Sequence, residues 1–178
     1  MTLPSLSRRQ LIKGLAAAGL AGCLPGALAA PRQPGKHSLG VALVGLGYYS
    51  RDLLAPGLQL TRNCHLAGVV TGTPAKALEW QRKYDLPDHN IYDYENFDRI
   101  ADNPDIDVIY IVLPNHLHKP FTLRGSAAGK HVWCEKPMAM NALEAQEMID
   151  ACQRNKVKLS IGYRMQHEPN TQRVIGFA

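Results

Sequence analysis

The feature that most constrains the fold is a rhythm of short, nearly unbroken apolar runs separated by segments with helical spacing. After Ser38 the apolar runs fall at residues 39–44, 64–70, 107–113, 131–134 and 157–161. A strand with one face in water alternates apolar and polar residues, whereas a run that is apolar throughout belongs to a strand covered on both faces, as in a parallel sheet. Helical spacing occupies residues 48–60, 74–84, 97–101, 119–128 and 141–155. Pro74 suits a first helical turn, and Asn141 with Glu144 three residues later reads as an N-cap with a capping-box partner. Strand and helix in repeated alternation predict the α/β class with a doubly wound parallel sheet.

The first run ends in Gly45-Leu46-Gly47-Tyr48-Tyr49-Ser50, where a strand gives way to a helix. Glycines there let the backbone turn tightly and approach a pyrophosphate, which rests on the helix N-terminus. Gly45, Gly47, Tyr48 and Tyr49 are therefore expected in a dinucleotide site. A third glycine is replaced by Ser50, so the motif draws its weight from the strand-turn-helix context; a plain tight turn is the alternative.

The second run decides between cofactors. A site for NAD normally ends this strand with a carboxylate on the ribose hydroxyls. Here it runs into Thr71-Gly72-Thr73-Pro74-Ala75-Lys76, with no acid until Glu79. A hydroxyl and a lysine at a helix start suit a 2′-phosphate, so NADP is expected rather than NAD. The third run ends in Leu113-Pro114-Asn115-His116-Leu117-His118. Its carboxyl end faces the crevice, where polar groups reach the nicotinamide end; Asn115 as a helix cap and His118 as an exposed first-turn residue are the alternatives. The fourth run ends in Glu135-Lys136-Pro137 on the same edge. A lysine there lowers the cost of the alkoxide that forms when hydride leaves a hydroxyl carbon, while a surface ion pair is the bland reading.

Charge excludes one class of partner. Of 20 basic residues, Arg8, Arg9, Lys13, Arg32 and Lys36 precede Ser38, in a stretch without acids, and setting those five aside leaves 15 basic against 15 acidic. The folded part is neutral and carries no footprint for nucleic acid. The basic stretch belongs to a leader: Ser7-Arg8-Arg9-Gln10-Leu11-Ile12-Lys13, a weakly apolar stretch to Gly22, then small residues. That pattern predicts a twin-arginine-type signal peptide over residues 1–29, cleaved after Ala29, and a periplasmic protein. A lipoprotein box ending at Cys23 is the alternative, and a spanning helix is excluded by length. Residues 30–37 read as a linker. Cys64, Cys134 and Cys152 are widely spaced without a C-x-x-C pair, so neither a metal nor a redox site is expected, and they read as buried free thiols.

Taken together, Gly45-Leu-Gly47, Leu113-Pro-Asn-His-Leu-His118, Ala128-Gly-Lys-His-Val-Trp-Cys-Glu-Lys-Pro137 and Gly162-Tyr-Arg164 resemble the glucose-fructose oxidoreductase and inositol dehydrogenase-like (Gfo/Idh/MocA) family. Residues 71–76 and 91–94 resemble its glucose-fructose oxidoreductase branch most. The resemblance implies a Rossmann NAD(P)-binding domain over residues 38–165 and hydride transfer between a sugar and NADP. It places Thr71, Lys76 and Tyr94 around the adenosine phosphate and ribose, and Leu113, Asn115 and His118 beside the nicotinamide. It puts Glu135 and Lys136 at the cofactor ribose and the substrate, with Lys136 catalytic, and Arg164 near the nicotinamide.

The family also carries a second, α+β domain that supplies the substrate pocket, an acid/base group and most of the oligomer interface. Only 42 residues follow Lys136. The expectation is that residues 166–178 begin the connection to that domain, that the domain itself is missing, and that the chain is not catalytic alone. A stand-alone nucleotide-binding module is the alternative.

Overall fold

The computed structural model describes residues 38–177. The leader, both processing sites, Cys23 and the linker lie outside the described residues.

The sheet is six-stranded and all parallel: β1 (Leu39–Val44), β2 (Cys64–Val70), β3 (Ile91–Tyr92), β4 (Val108–Ile111), β5 (His131–Cys134) and β6 (Leu159–Ile161), in the order β3-β2-β1-β4-β5-β6. The apolar runs forecast β1, β2 and β5 to the residue, and β4 and β6 with ragged ends. Ile91–Tyr92 was not anticipated as a strand. It is a two-residue edge pairing with Val69 and Val70, too short to show periodicity. At the start of β6, the backbone N–H of Val157 closes the preceding helix on Cys152 O, and Lys156 turns with φ +56°, so residue 157 is helix closure rather than strand.

Burial alternates along β1 between two faces, both of them covered. Ala42 and Val44 join Ile109, Ile111, Phe121, Val132 and Met148 on one side. Val41 and Leu43 join Ala55, Leu58, Val69 and Trp80 on the other. This two-sided cover is why the strands are apolar throughout.

The helices are α1 (Ala55–Leu60), α2 (Pro74–Tyr84), α3 (His118–Ala127), α4 (Ala142–Arg154) and α5 (Pro169–Ile175). The turn before α1, Ser50–Leu54, is wound wide, with Ala55 N–H donating to Ser50 O. Pro56, next in line, has no N–H to continue an ordinary ladder, which accounts for the widening. Asn141 caps α4 by accepting from Glu144 N–H at 2.9 Å, while the Glu144 carboxylate accepts from Met140 N–H at 3.2 Å. The expected box therefore forms one residue out of step. Glu168 caps α5, accepting from the N–H groups of Asn170 and Thr171, and its carboxyl sits below the usual range for that reason. Among the described residues no helix is long and apolar enough to cross a membrane.

Candidate dinucleotide site at the carboxyl edge of the sheet

Strand order reverses between β1 and β4, the adjacent strands from which the chain runs outward in opposite directions. Open α/β sheets bind ligands in the crevice outside their carboxyl ends at this point. The residues singled out from the sequence all follow carboxyl ends of strands: Gly45, Gly47, Tyr48 and Tyr49 after β1, Thr71 and Lys76 after β2, Tyr94 after β3, Leu113, Asn115 and His118 after β4, Glu135 and Lys136 after β5, and Arg164 after β6.

Gly45 adopts φ +93°, and a Cβ there would stand 2.3 Å from the carbonyl oxygen of Val112. Only glycine lets the loop leave β1 this close to the end of β4. Ser50, the residue in place of the third glycine, is buried and donates its hydroxyl to Gly45 O at 2.6 Å, so it pins the turn. Gly47 differs from Gly45: nothing lies within 4 Å of where its Cβ would point. Gly47 is exposed, and its bare backbone is open to the approach of a phosphate at the start of the helix. The residues fit a dinucleotide here.

On the β2 side, Thr71 is buried, its N–H donating to Tyr92 O at 3.0 Å and its hydroxyl accepting from Thr73 N–H at 3.3 Å. Lys76 is exposed in the first turn of α2. The Tyr94 ring lies over Gly72, 3.1 Å from the position of a Cβ there, and meets Phe121 edge-on at 5.6 Å. Arg124 holds this shelf from behind, donating to Tyr94 O at 2.9 Å and packing over Phe97 and Phe121 at 4.8 and 5.1 Å. Burial raises the Tyr94 phenol above its ordinary value, partly offset by its hydrogen bond with the Gly72 backbone.

On the β4–β6 side, Asn115 is exposed at the start of a short turn and makes no cap to α3. His118 is the residue that recedes from the crevice. It is buried, with Nδ1 2.8 Å from Pro137 O and Nε2 2.9 Å from Leu113 O. It therefore ties the end of β4 to the segment after Lys136, a role that neither sequence reading of His118 foresaw. Glu135 is half-buried and Lys136 exposed, joined to Pro137 by a cis peptide bond. Tyr110 donates its hydroxyl to Glu135 Oε1 at 2.6 Å. Burial first, then this hydrogen bond, hold the Tyr110 phenol far above its ordinary value. Burial first, then the Glu135 carboxylate, raise the Tyr49 phenol, while Arg164 lowers it. Sequence reasoning missed Tyr110; a phenol set in the otherwise aliphatic run Val108–Ile111 was its only mark.

The model of the oxidoreductase family, NAD-binding Rossmann fold, matches residues 39–163. The chain belongs to this family. Its relatives include the D-xylose 1-dehydrogenase [NADP(+)] of Haloarcula marismortui, 30% identical over 132 residues that make up 74% of this chain and 36% of that protein. Among solved structures, the aldose-aldose oxidoreductase of Caulobacter crescentus, complexed with glycerol, is 45% identical with a TM-score of 0.73, over 75% of this chain and 40% of that one. The 3-ketoreductase KijD10 of Actinomadura kijaniata, in complex with NADP, shares the fold at TM-score 0.70 and 19% identity, over 79% of this chain and 43% of its own. The chain thus spans under half the length of each of these three proteins.

Among the described residues no cluster of His, Cys, Asp and Glu suits a metal ion. Their cysteines are free, with Cys64 half-buried and Cys134 and Cys152 buried. Burial pushes the Cys134 thiol up to about 12 and raises that of Cys152.

Proposed function

We propose that residues 38–165 are the NADP-binding domain of an exported sugar oxidoreductase that moves a hydride between a sugar carbon and NADP. The observation that carries this reading is the paired glycine geometry at the strand-order reversal, Gly45 locked against Val112 and Gly47 open. Gly45 and Gly47 would receive the pyrophosphate at the helix start, flanked by Tyr48 and Tyr49. Thr71, Lys76 and Tyr94 would hold the adenosine half; the β2 end offers no carboxylate to repel a 2′-phosphate, which supports NADP over NAD. Leu113, Asn115 and His118 would shape the nicotinamide side, His118 from behind. Glu135 would accept from ribose hydroxyls, and Arg164 would border the nicotinamide.

When bound, NADP would supply a hydride acceptor. Lys136, exposed at the rim, would hydrogen-bond the sugar oxygen through Nζ and lower the cost of negative charge on it. Sugars as substrates are supported by the names of the relatives, export by the twin-arginine pattern at Ser7-Arg8-Arg9. Periplasmic location follows that reading. A homo-oligomer formed through a second domain of the relatives' kind belongs to the same proposal.

Lys136 and Arg164 both stand exposed, so the substrate side of the crevice has no wall among the described residues. This favours a second reading for the chain by itself, a nucleotide-binding module without turnover. Two measurements on the purified chain test the proposal. NADPH is expected to bind with a dissociation constant in the micromolar range, followed by its fluorescence, and glucose is expected to give no change in NADPH absorbance. Absent NADPH binding would overturn the cofactor assignment; sugar-dependent turnover would overturn the need for a further wall.

A further inference from the structure

The Glu135 carboxylate is built in from neighbouring strands. Oε1 accepts the Tyr110 hydroxyl from β4 at 2.6 Å, and Oε2 accepts the Lys136 N–H at 3.3 Å. After β6, Gly162 makes the room: a Cβ there would stand 2.8 Å from Oε1. Tyr110 is itself fixed. It pairs in register with Trp133 across β4 and β5, and the two rings meet edge-on at 5.7 Å. A partly buried phenol requires an acceptor, and here the acceptor is a crevice carboxylate rather than a backbone carbonyl. Tyr49, beside the glycine loop, feels the charge of Glu135. Glu135 directly follows the carboxyl end of β5, in the β4-β5-β6 half of the sheet, where the second mononucleotide half of a dinucleotide lies in a doubly wound sheet.

We propose that Tyr110 is a positioning residue, whose hydroxyl holds Glu135 so that its remaining lone pairs face the ribose hydroxyls of the nicotinamide half of the cofactor. This rests on the dinucleotide reading above and adds a residue to it. A carboxylate offers about four acceptor sites. The bonds from Tyr110 and Lys136 occupy part of that capacity and leave the rest for ligand. Fixing the side chain in advance removes the ordering cost that a free glutamate would bear on binding.

Tyr110→Phe keeps the ring against Trp133 and removes the hydroxyl. The full chain, wild type and variants, is titrated with NADPH and with adenosine 2′,5′-bisphosphate, which lacks the nicotinamide half. Tyr110→Phe is expected to weaken NADPH about fivefold, the scale of one side chain left to be ordered on binding, and to leave the bisphosphate unchanged. Added to Glu135→Ala, it is expected to have no further effect. Equal weakening of both ligands would mean a structural defect and would overturn the proposal, as would an additive double variant. Should Tyr110→Phe not fold, Glu135→Asp withdraws the carboxylate from Tyr110 while keeping its charge. The same NADPH-selective loss is then expected, and unchanged affinity for both ligands overturns the inference. Wild-type chain that binds neither ligand would sink the dinucleotide reading and this inference together, whereas normal NADPH binding by Tyr110→Phe would sink this inference alone.

Discussion

Replacing Gly45 with Ala perturbs the one backbone position on which the loop geometry depends. At φ +93° an L side chain is strained by about 1–2 kcal/mol. The new Cβ would stand 2.3 Å from Val112 O and 2.8 Å from Leu113 Cδ2. The nearer atom is backbone and has no rotamer to change. Relief must move the ends of β1 and β4 apart, and these are tied there by Val112 N–H donating to Val44 O at 2.8 Å. Overpacking of this kind adds about 1–3 kcal/mol, for a total of about 3 kcal/mol. With a urea dependence of about 2 kcal/mol per molar for a domain of this size, the midpoint should fall by about 1.5 M at unchanged slope. Circular dichroism during urea titration reads this. Gly47→Ala serves as the control: its Cβ meets nothing within 4 Å, so its midpoint should move by less than about 0.3 M, equivalent to about 0.5 kcal/mol, while NADPH affinity falls. A Gly45→Ala midpoint shift as small as the control's would refute the argument that the turn is sterically fixed.

Two further outcomes are expected. Lys76→Glu puts a carboxylate at the start of α2 and should move preference from NADPH towards NADH by about tenfold or more, the scale of one charge-assisted bond; unchanged affinities would remove Lys76 from the 2′-phosphate. Alkaline pH should destabilise the fold through Cys134 and Tyr110, whose folded values are raised. A raised group contributes stability that is fully present below its unfolded value and lost as pH rises towards the folded one. For Cys134 that window runs from the ordinary value of 9.0 to about 12. Stability, read from urea midpoints, should therefore fall across it by up to about 1.4 kcal/mol per pH unit per group. Cys134→Ala should flatten the fall, and an unchanged slope would contradict the burial argument.

Much of this fold was written in local pattern, because both faces of the sheet are covered and the strands had to be apolar throughout. Val41 and Leu43 on one side and Ala42 and Val44 on the other make β1 legible to the residue. What was illegible depends on tertiary contact. Ile91–Tyr92 is a strand only because Val69 and Val70 lie beside it. The wide turn at Ser50–Leu54 follows from the missing N–H of Pro56, a residue that helical spacing alone passes over. In the site, the glycine loop and the Glu135-Lys136 pair announced themselves as polar or flexible residues at strand ends. Tyr110 lies within a strand and gains its meaning from Glu135, 25 residues later. His118 presented the converse problem: the sequence left it either facing the crevice or exposed in a first helical turn, whereas two backbone carbonyls draw it inside.

The central claim is that the carboxyl edge of this sheet holds NADP across the reversal between β1 and β4. A crystal structure of the chain with NADPH tests it most directly. The pyrophosphate is expected at Gly45 and Gly47, the adenosine phosphate beside Thr71 and Lys76, and the nicotinamide ribose within hydrogen-bonding distance of Glu135. A dinucleotide bound elsewhere on the chain, or lying in the crevice in the opposite direction, would contradict it.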